Sequence, residues 1–168
     1  MASDSLSVVV RRRYDAPPEL VFRAFTDPLL LPRWFSLGAD IAVDVLAHVL
    51  RPEGRFRFRY REPNGTVSIV TGQFREILPP GRLVFTWTWE EPHPHAGIET
   101  LVTVEIVADR SGTKVTVKQE RFPDESSRAR NAEGGAHAGP DGDAVRPGLV
   151  RELARRGRTA RGSSRGVR

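Results

Sequence analysis

Arg82-Leu-Val-Phe-Thr-Trp-Thr-Trp-Glu90 places a large apolar side chain at every second position. Successive side chains of a strand point to opposite faces, so Leu83, Phe85, Trp87 and Trp89 share one face, with Val84, Thr86 and Thr88 on the other. Each large aromatic can bury about 150 to 250 Å², which at about 25 cal/mol per Å² is roughly 4 to 6 kcal/mol before ordering costs. A face of that kind has to be covered, by a packed helix, a ligand or both.

The flanking text repeats the pattern. Phe56, Phe58 and Tyr60 alternate without exception with Arg55, Arg57, Arg59 and Arg61, a half-buried strand with a cationic outer face. Pro63-Asn-Gly65 and Pro79-Pro-Gly81 read as turns. The 67–78 segment between them reads as a strand with Gly72 as its bulge. Upstream, Ile41 to Leu50 is a further strand and Leu6 to Tyr14 the first. Asp15-Ala-Pro-Pro-Glu19 opens a helix, since proline is tolerated in a first turn and Glu19 meets the positive end of the dipole. Pro28 to Phe35 is a second, short apolar helix. Downstream, Val102, Val104 and Ile106 mark one strand, and Val115 and Val117 the last, across a tight turn at Asp109-Arg-Ser-Gly112. The order is strand, two helices, six strands, and the short turns imply antiparallel pairing.

Composition narrows the class. A length of 168 residues with 39% hydrophobic and 8% aromatic residues fits one globular domain. With no cysteine there is no disulfide and no thiolate metal site, and His48, His93, His95 and His137 lack metal-ligand spacing. No secretory leader or run of about 20 apolar residues is present, so a cytoplasmic protein without a membrane anchor is expected. The net charge of +5 invites a nucleic-acid reading, but residues 1–133 hold 18 basic and 18 acidic side chains, and residues 134–168 hold 8 and 3. The whole excess belongs to a tail. Nucleic acid is therefore not an expected partner.

Taken together, Asp15-Ala-Pro-Pro-Glu-Leu-Val-Phe22, Pro32-Arg-Trp-Phe35, Arg51-Pro-Glu-Gly-Arg-Phe56, Pro80-Gly-Arg-Leu-Val-Phe-Thr-Trp87 and Glu120-Arg-Phe-Pro-Asp124 resemble the activator of Hsp90 ATPase homologue family, related to that activator's C-terminal domain, within the START-like, or SRPBCC, superfamily. Their order and spacing, over roughly Leu6 to Glu133, carry the likeness. It implies an α+β helix-grip fold, a curved antiparallel sheet with two short helices after the first strand, wrapped around a long C-terminal helix with a cavity between. Residues 1–133 are then the START-like domain, and 134–168 a basic Gly/Arg/Ala-rich tail expected to be disordered.

The family helix should run from about Asp124 and carry leucines at helical spacing. Residues 134–168 instead hold eight of the fifteen glycines and no aromatic, a composition that buries too little surface to order itself. The long helix is therefore expected to be lost or degraded. Read one nucleotide later, Ala136 to Ala144 can encode a leucine-rich stretch. We hypothesise a shifted reading frame near Gly135, which the nucleotide sequence across codons 130 to 145 would expose.

The candidate ligand-lining residues are Trp34, Phe56, Phe58, Tyr60, Phe85, Trp87 and Trp89, an aromatic set suited either to a core or to an apolar pocket. The expected partner is a small hydrophobic or aromatic molecule. The alternative is a protein-interaction module acting on a chaperone ATPase, as the family name suggests, or associating with a second copy of itself. No Ser-His-Asp set, paired-carboxylate motif or glycine-rich phosphate loop is recognisable, so neither an enzyme nor a cofactor or metal is expected. Lyase or cyclase-like chemistry, as the resemblance allows, remains the alternative.

Overall fold

The computed structural model describes residues 6–34 and 40–129, apart from the side chains of residues 33 and 34. In chain order the elements are β1 (Leu6–Tyr14), α1 (Pro18–Thr26), α2 (Leu31–Trp34), β2 (Ala42–His48), β3 (Arg55–Arg61), β4 (Val67–Leu78), β5 (Arg82–Trp89), β6 (Thr100–Asp109) and β7 (Gly112–Phe122). The strands form one seven-stranded antiparallel sheet in the order β1-β7-β6-β5-β4-β3-β2. The two helices occupy the long connection between edge strands β1 and β2, α1 packing on β6 and β7 and α2 on β2. This is the expected α+β helix-grip architecture.

Helix α1 buries Val21, Phe22 and Ala24 and carries Glu19 in its first turn. It stops where Asp27 precedes Pro28, because the residue before proline is pushed away from helical angles. Asp27 then accepts a hydrogen bond from the Leu29 N–H at 2.9 Å, which turns the chain into α2. The core runs from this helix to the inner face of the sheet, where Val70, Leu83, Val104 and Val115 are almost completely buried. Tyr60 is also buried there.

The register slips by one residue at three places, the first between Leu6 and Val8 where β1 pairs with β7. In β2, Val45 faces Phe58 but Ala47 faces Arg57, so Leu46 is an extra residue, and His48 comes to sit opposite Phe56. In β4 the slip falls between Phe74 and Glu76. The bulge expected at Gly72 is therefore displaced to Arg75, and Gly72 serves another purpose. A Cβ at position 72 would lie 2.1 Å from Phe56 Cζ and 2.1 Å from the Thr86 carbonyl oxygen. Only a glycine lets the Phe56 ring lie against β4 at this point.

The outer face is less bare than the alternation suggested. Arg57 reaches Glu90 through two bonds of 2.7 and 2.9 Å, and Asp44 accepts from both Arg59 and Arg61. These arginines are 40 to 51% exposed, so the expected solvated placement holds, but three of the four cations carry a partner. Val84 and Thr86, opposite the aromatic face of β5, are also buried, and Thr86 Oγ1 accepts the Gln73 N–H at 2.9 Å.

After β7, the Ser127 N–H donates to Asp124 Oδ1 at 2.6 Å and residues 125–129 are helical, in keeping with a helix expected from about Asp124. The proposed domain limit at Glu133, the tail, the fate of the long C-terminal helix and the frame shift all concern residues outside the described part.

Candidate functional site

The inner face of the sheet carries a nearly continuous layer of rings. Phe56 stacks on Phe58 with centroids 4.9 Å apart and meets Phe85 edge-on at 5.5 Å. Phe74 lies 5.4 Å from Phe56, and Trp87 6.2 Å from it. Offset and edge-on contacts of this kind add about 0.5 to 1.5 kcal/mol per pair beyond area burial. They also fix the rings relative to one another, which makes the layer a shaped surface rather than a loose apolar fill.

Between this layer and the helices lies a cavity of about 30 Å³, room for a water molecule or two. Its floor is Phe56 and Phe58 of β3, Phe74 of β4, and Leu83, Phe85 and Trp87 of β5; its other walls are Phe25 of α1, Leu31 of α2 and His48 of β2. Phe85 and Trp87 are half-buried although they stand mid-sheet.

Of the seven residues expected to line a ligand site, Phe56, Phe58, Phe85 and Trp87 are brought together here. Tyr60 and Trp89 stand further along the same face, outside the lining, with their rings 5.6 Å apart. Trp89 meets Trp87 edge-on at 5.8 Å and is stacked on His93 at 4.3 Å, which makes it a buried link between the cavity and the loop after β5. The Trp34 side chain lies outside the described part.

Tyr60 has a property that alternation could not reveal. Its hydroxyl is buried and bonds to nothing among the described residues, and burial pushes the phenol pKa well above its ordinary value. Among the described residues it is a neutral donor without an acceptor. His93, by contrast, is satisfied: its Nδ1 accepts the His95 N–H at 3.1 Å, and burial, with the nearby His95 charge second, lowers its pKa.

Sequence reasoning put Leu83 on the aromatic face without naming it as a lining residue, and it did not single out Phe25, Leu31, Phe74 or His48 for the site. Burial lowers the His48 pKa, opposed by a bond with its own backbone and by the charge of Asp27. Its ring meets Phe74 edge-on at 5.6 Å. Among the described residues no cluster of His, Cys, Asp or Glu could hold a metal ion, and no helix is long and apolar enough to cross a membrane.

With sheet, helices and cavity in place, the chain can be set beside known proteins. Residues 15–139 match the family of activator of Hsp90 ATPase homolog 1-like proteins. The chain belongs to that family. Among solved structures it is similar to a protein from Nitrosomonas europaea, at 25% identity and a TM-score of 0.72, over 94% of this chain and 99% of that one. It is also similar to an Arthrobacter aurescens protein solved by NMR, with 22% identity, a TM-score of 0.76 and coverage of 89% and 88%. A third likeness is to the AHSA1 protein of Silicibacter pomeroyi, with 22% identity, a TM-score of 0.69 and coverage of 89% and 99%. These likenesses bear on the fold. Among curated proteins the sequence comparison finds no match. For this family member, the ring layer and its cavity are the feature to which a function can be attached.

Proposed function

We propose that the protein binds a small aromatic or apolar molecule between the ring layer of the sheet and helices α1 and α2. The observation that supports this is the lining: a cavity walled by Phe25, Phe56, Phe58, Phe74, Phe85 and Trp87, with Phe25, Phe85 and Trp87 left half-buried. A wall of this composition offers dispersion contacts and a water-excluded surface, the usual basis of small-molecule recognition. At about 30 Å³ the cavity is much smaller than the roughly 300 Å³ or more of occupied ligand pockets. Binding therefore proceeds by parting the half-buried Phe85 and Trp87 rings, and part of the contact energy is spent on that movement. The chaperone-directed alternative draws on the family description, whereas the ligand reading draws on this lining.

Titration with a naphthalene sulfonate tests it. Saturable binding that changes tryptophan emission is the expected result, and Trp87→Ala should weaken or strengthen it several-fold. A Trp87→Ala variant that stays folded and binds with unchanged affinity would remove Trp87 from the site. Should no saturable binding occur in the parent protein, the reading is wrong.

A further inference from the structure

The bulge at Leu46 does more than bend an edge strand. Before it, Val43 and Val45 stand opposite Tyr60 and Phe58; after it, His48 stands opposite Phe56. One inserted residue therefore moves His48 from the outer parity, shared with Asp44, to the inner face. Bulges are used in this way to re-aim a side chain next to a site. Here the effect is to place an imidazole in the wall of a cavity that is otherwise lined by apolar side chains.

In its neutral form, which burial favours, the imidazole has one nitrogen with a lone pair that accepts a hydrogen bond. Among the described residues no side chain bonds to the ring. The elements packed around it present Phe56 from β3, Phe74 from β4 and Leu31 from α2. Among the described residues, the one charged group acting on it is Asp27, at the end of α1.

Resting on the ligand reading above, we propose that His48 reads a hydrogen-bond donor on the bound molecule. The occupant is a phenol-class compound, its ring among Phe56, Phe85 and Trp87 and its hydroxyl donated to the free imidazole nitrogen. A ligand without a donor cannot use that lone pair, and a protonated His48 loses it and with it the preference.

Two probes of matched size separate the possibilities, 2-naphthol, which donates, and 2-methoxynaphthalene, which does not. At neutral pH the protein should bind the naphthol about tenfold more tightly, the effect of one hydrogen bond in an apolar site. His48→Phe should abolish that preference, and His48→Gln, which retains an acceptor, should restore part of it. In the parent protein the preference should fall away at acid pH in step with the His48 imidazole resonance followed by NMR. A preference that survives in His48→Phe, or one that ignores the His48 titration, overturns the assignment while the cavity reading stands. If neither probe binds, the cavity reading falls, and this assignment falls with it.

Discussion

Replacing Tyr60 by phenylalanine should stabilise the protein, the reverse of what a buried substitution usually does. The tyrosine is 1% exposed and its ring packs on Trp89 at 5.6 Å. Phenylalanine keeps that ring and its apolar burial, so the hydrophobic contribution hardly changes. What is removed is a hydroxyl with no partner among the described residues, whose desolvation costs about 1 to 3 kcal/mol. Against this stands the loss of a few atom contacts at about 0.1 to 0.2 kcal/mol each. The net expectation is a gain of about 1 kcal/mol, or about 2 to 4 °C in Tm for a domain of this size. Urea denaturation with an unchanged m-value measures it. The raised phenol pKa adds a second readout. A group whose folded pKa lies above its unfolded value contributes stability that is whole below the unfolded value, about 10, and is lost as pH rises through the folded one. Tyr60→Phe should therefore also lessen the alkaline fall in stability. A variant destabilised by 1 kcal/mol or more would refute the reasoning, because it would mean that the hydroxyl makes a bond of structural value.

Two further substitutions test the sheet. Gly72→Ala should cost about 3 kcal/mol or more, because its Cβ meets both Phe56 and the Thr86 carbonyl oxygen at 2.1 Å. Gly65→Ala is the control, since nothing lies within 4 Å of its Cβ and only a φ of +89° opposes it, worth about 1 to 2 kcal/mol; equal losses by thermal unfolding would show that the Phe56 contact is not as described. Asp44 has its carboxyl held down from 3.8 to about 2, chiefly by the hydrogen bond from Arg61 and then by that from Arg59. A lowered carboxyl stabilises the fold above its unfolded pKa and ceases to do so as pH falls through the folded one. The shift corresponds to about 2.5 kcal/mol at most, reduced to about 1 kcal/mol because both arginines face solvent. Asp44→Asn should lose that amount near neutrality and progressively less as pH falls toward and below 2, whereas a loss independent of pH would show that charge is not the cause.

Much of this site could be read from the chain, and the part that could not has a specific cause. Period-two alternation placed Phe56 and Phe58 together with Phe85 and Trp87 on one face, and all four line the cavity. It holds only while the register holds. Beyond Leu46 the parity of β2 inverts, so the same rule sends His48 outward although it faces in. The inversion in β4 falls at Arg75 and not at Gly72, because glycine there answers a close approach and not a slip, two demands that look alike in sequence. Tyr60 and Trp89 share the face but lie past the cavity's end, a limit set by where the helices pack and not by the strand pattern. Pairing of the outer arginines with Asp44 and Glu90 depends on cross-strand neighbours, which a single strand's pattern does not contain.

Among the described residues, strand β1 closes one side of the sheet and pairs only with β7, so that its far side is an edge to which another chain could add. It carries Arg11, Arg12 and Arg13 in succession. Were a second copy to add antiparallel about this strand's centre of charge, the local two-fold would set Arg12 against Arg12 and Arg11 against Arg13, like charges directly opposed, which disfavours the pairing. Charged edges of this sort are how open sheets avoid growing into ribbons. The triplet thus works as a terminus written into the strand itself, and its strength should fade as added salt screens it.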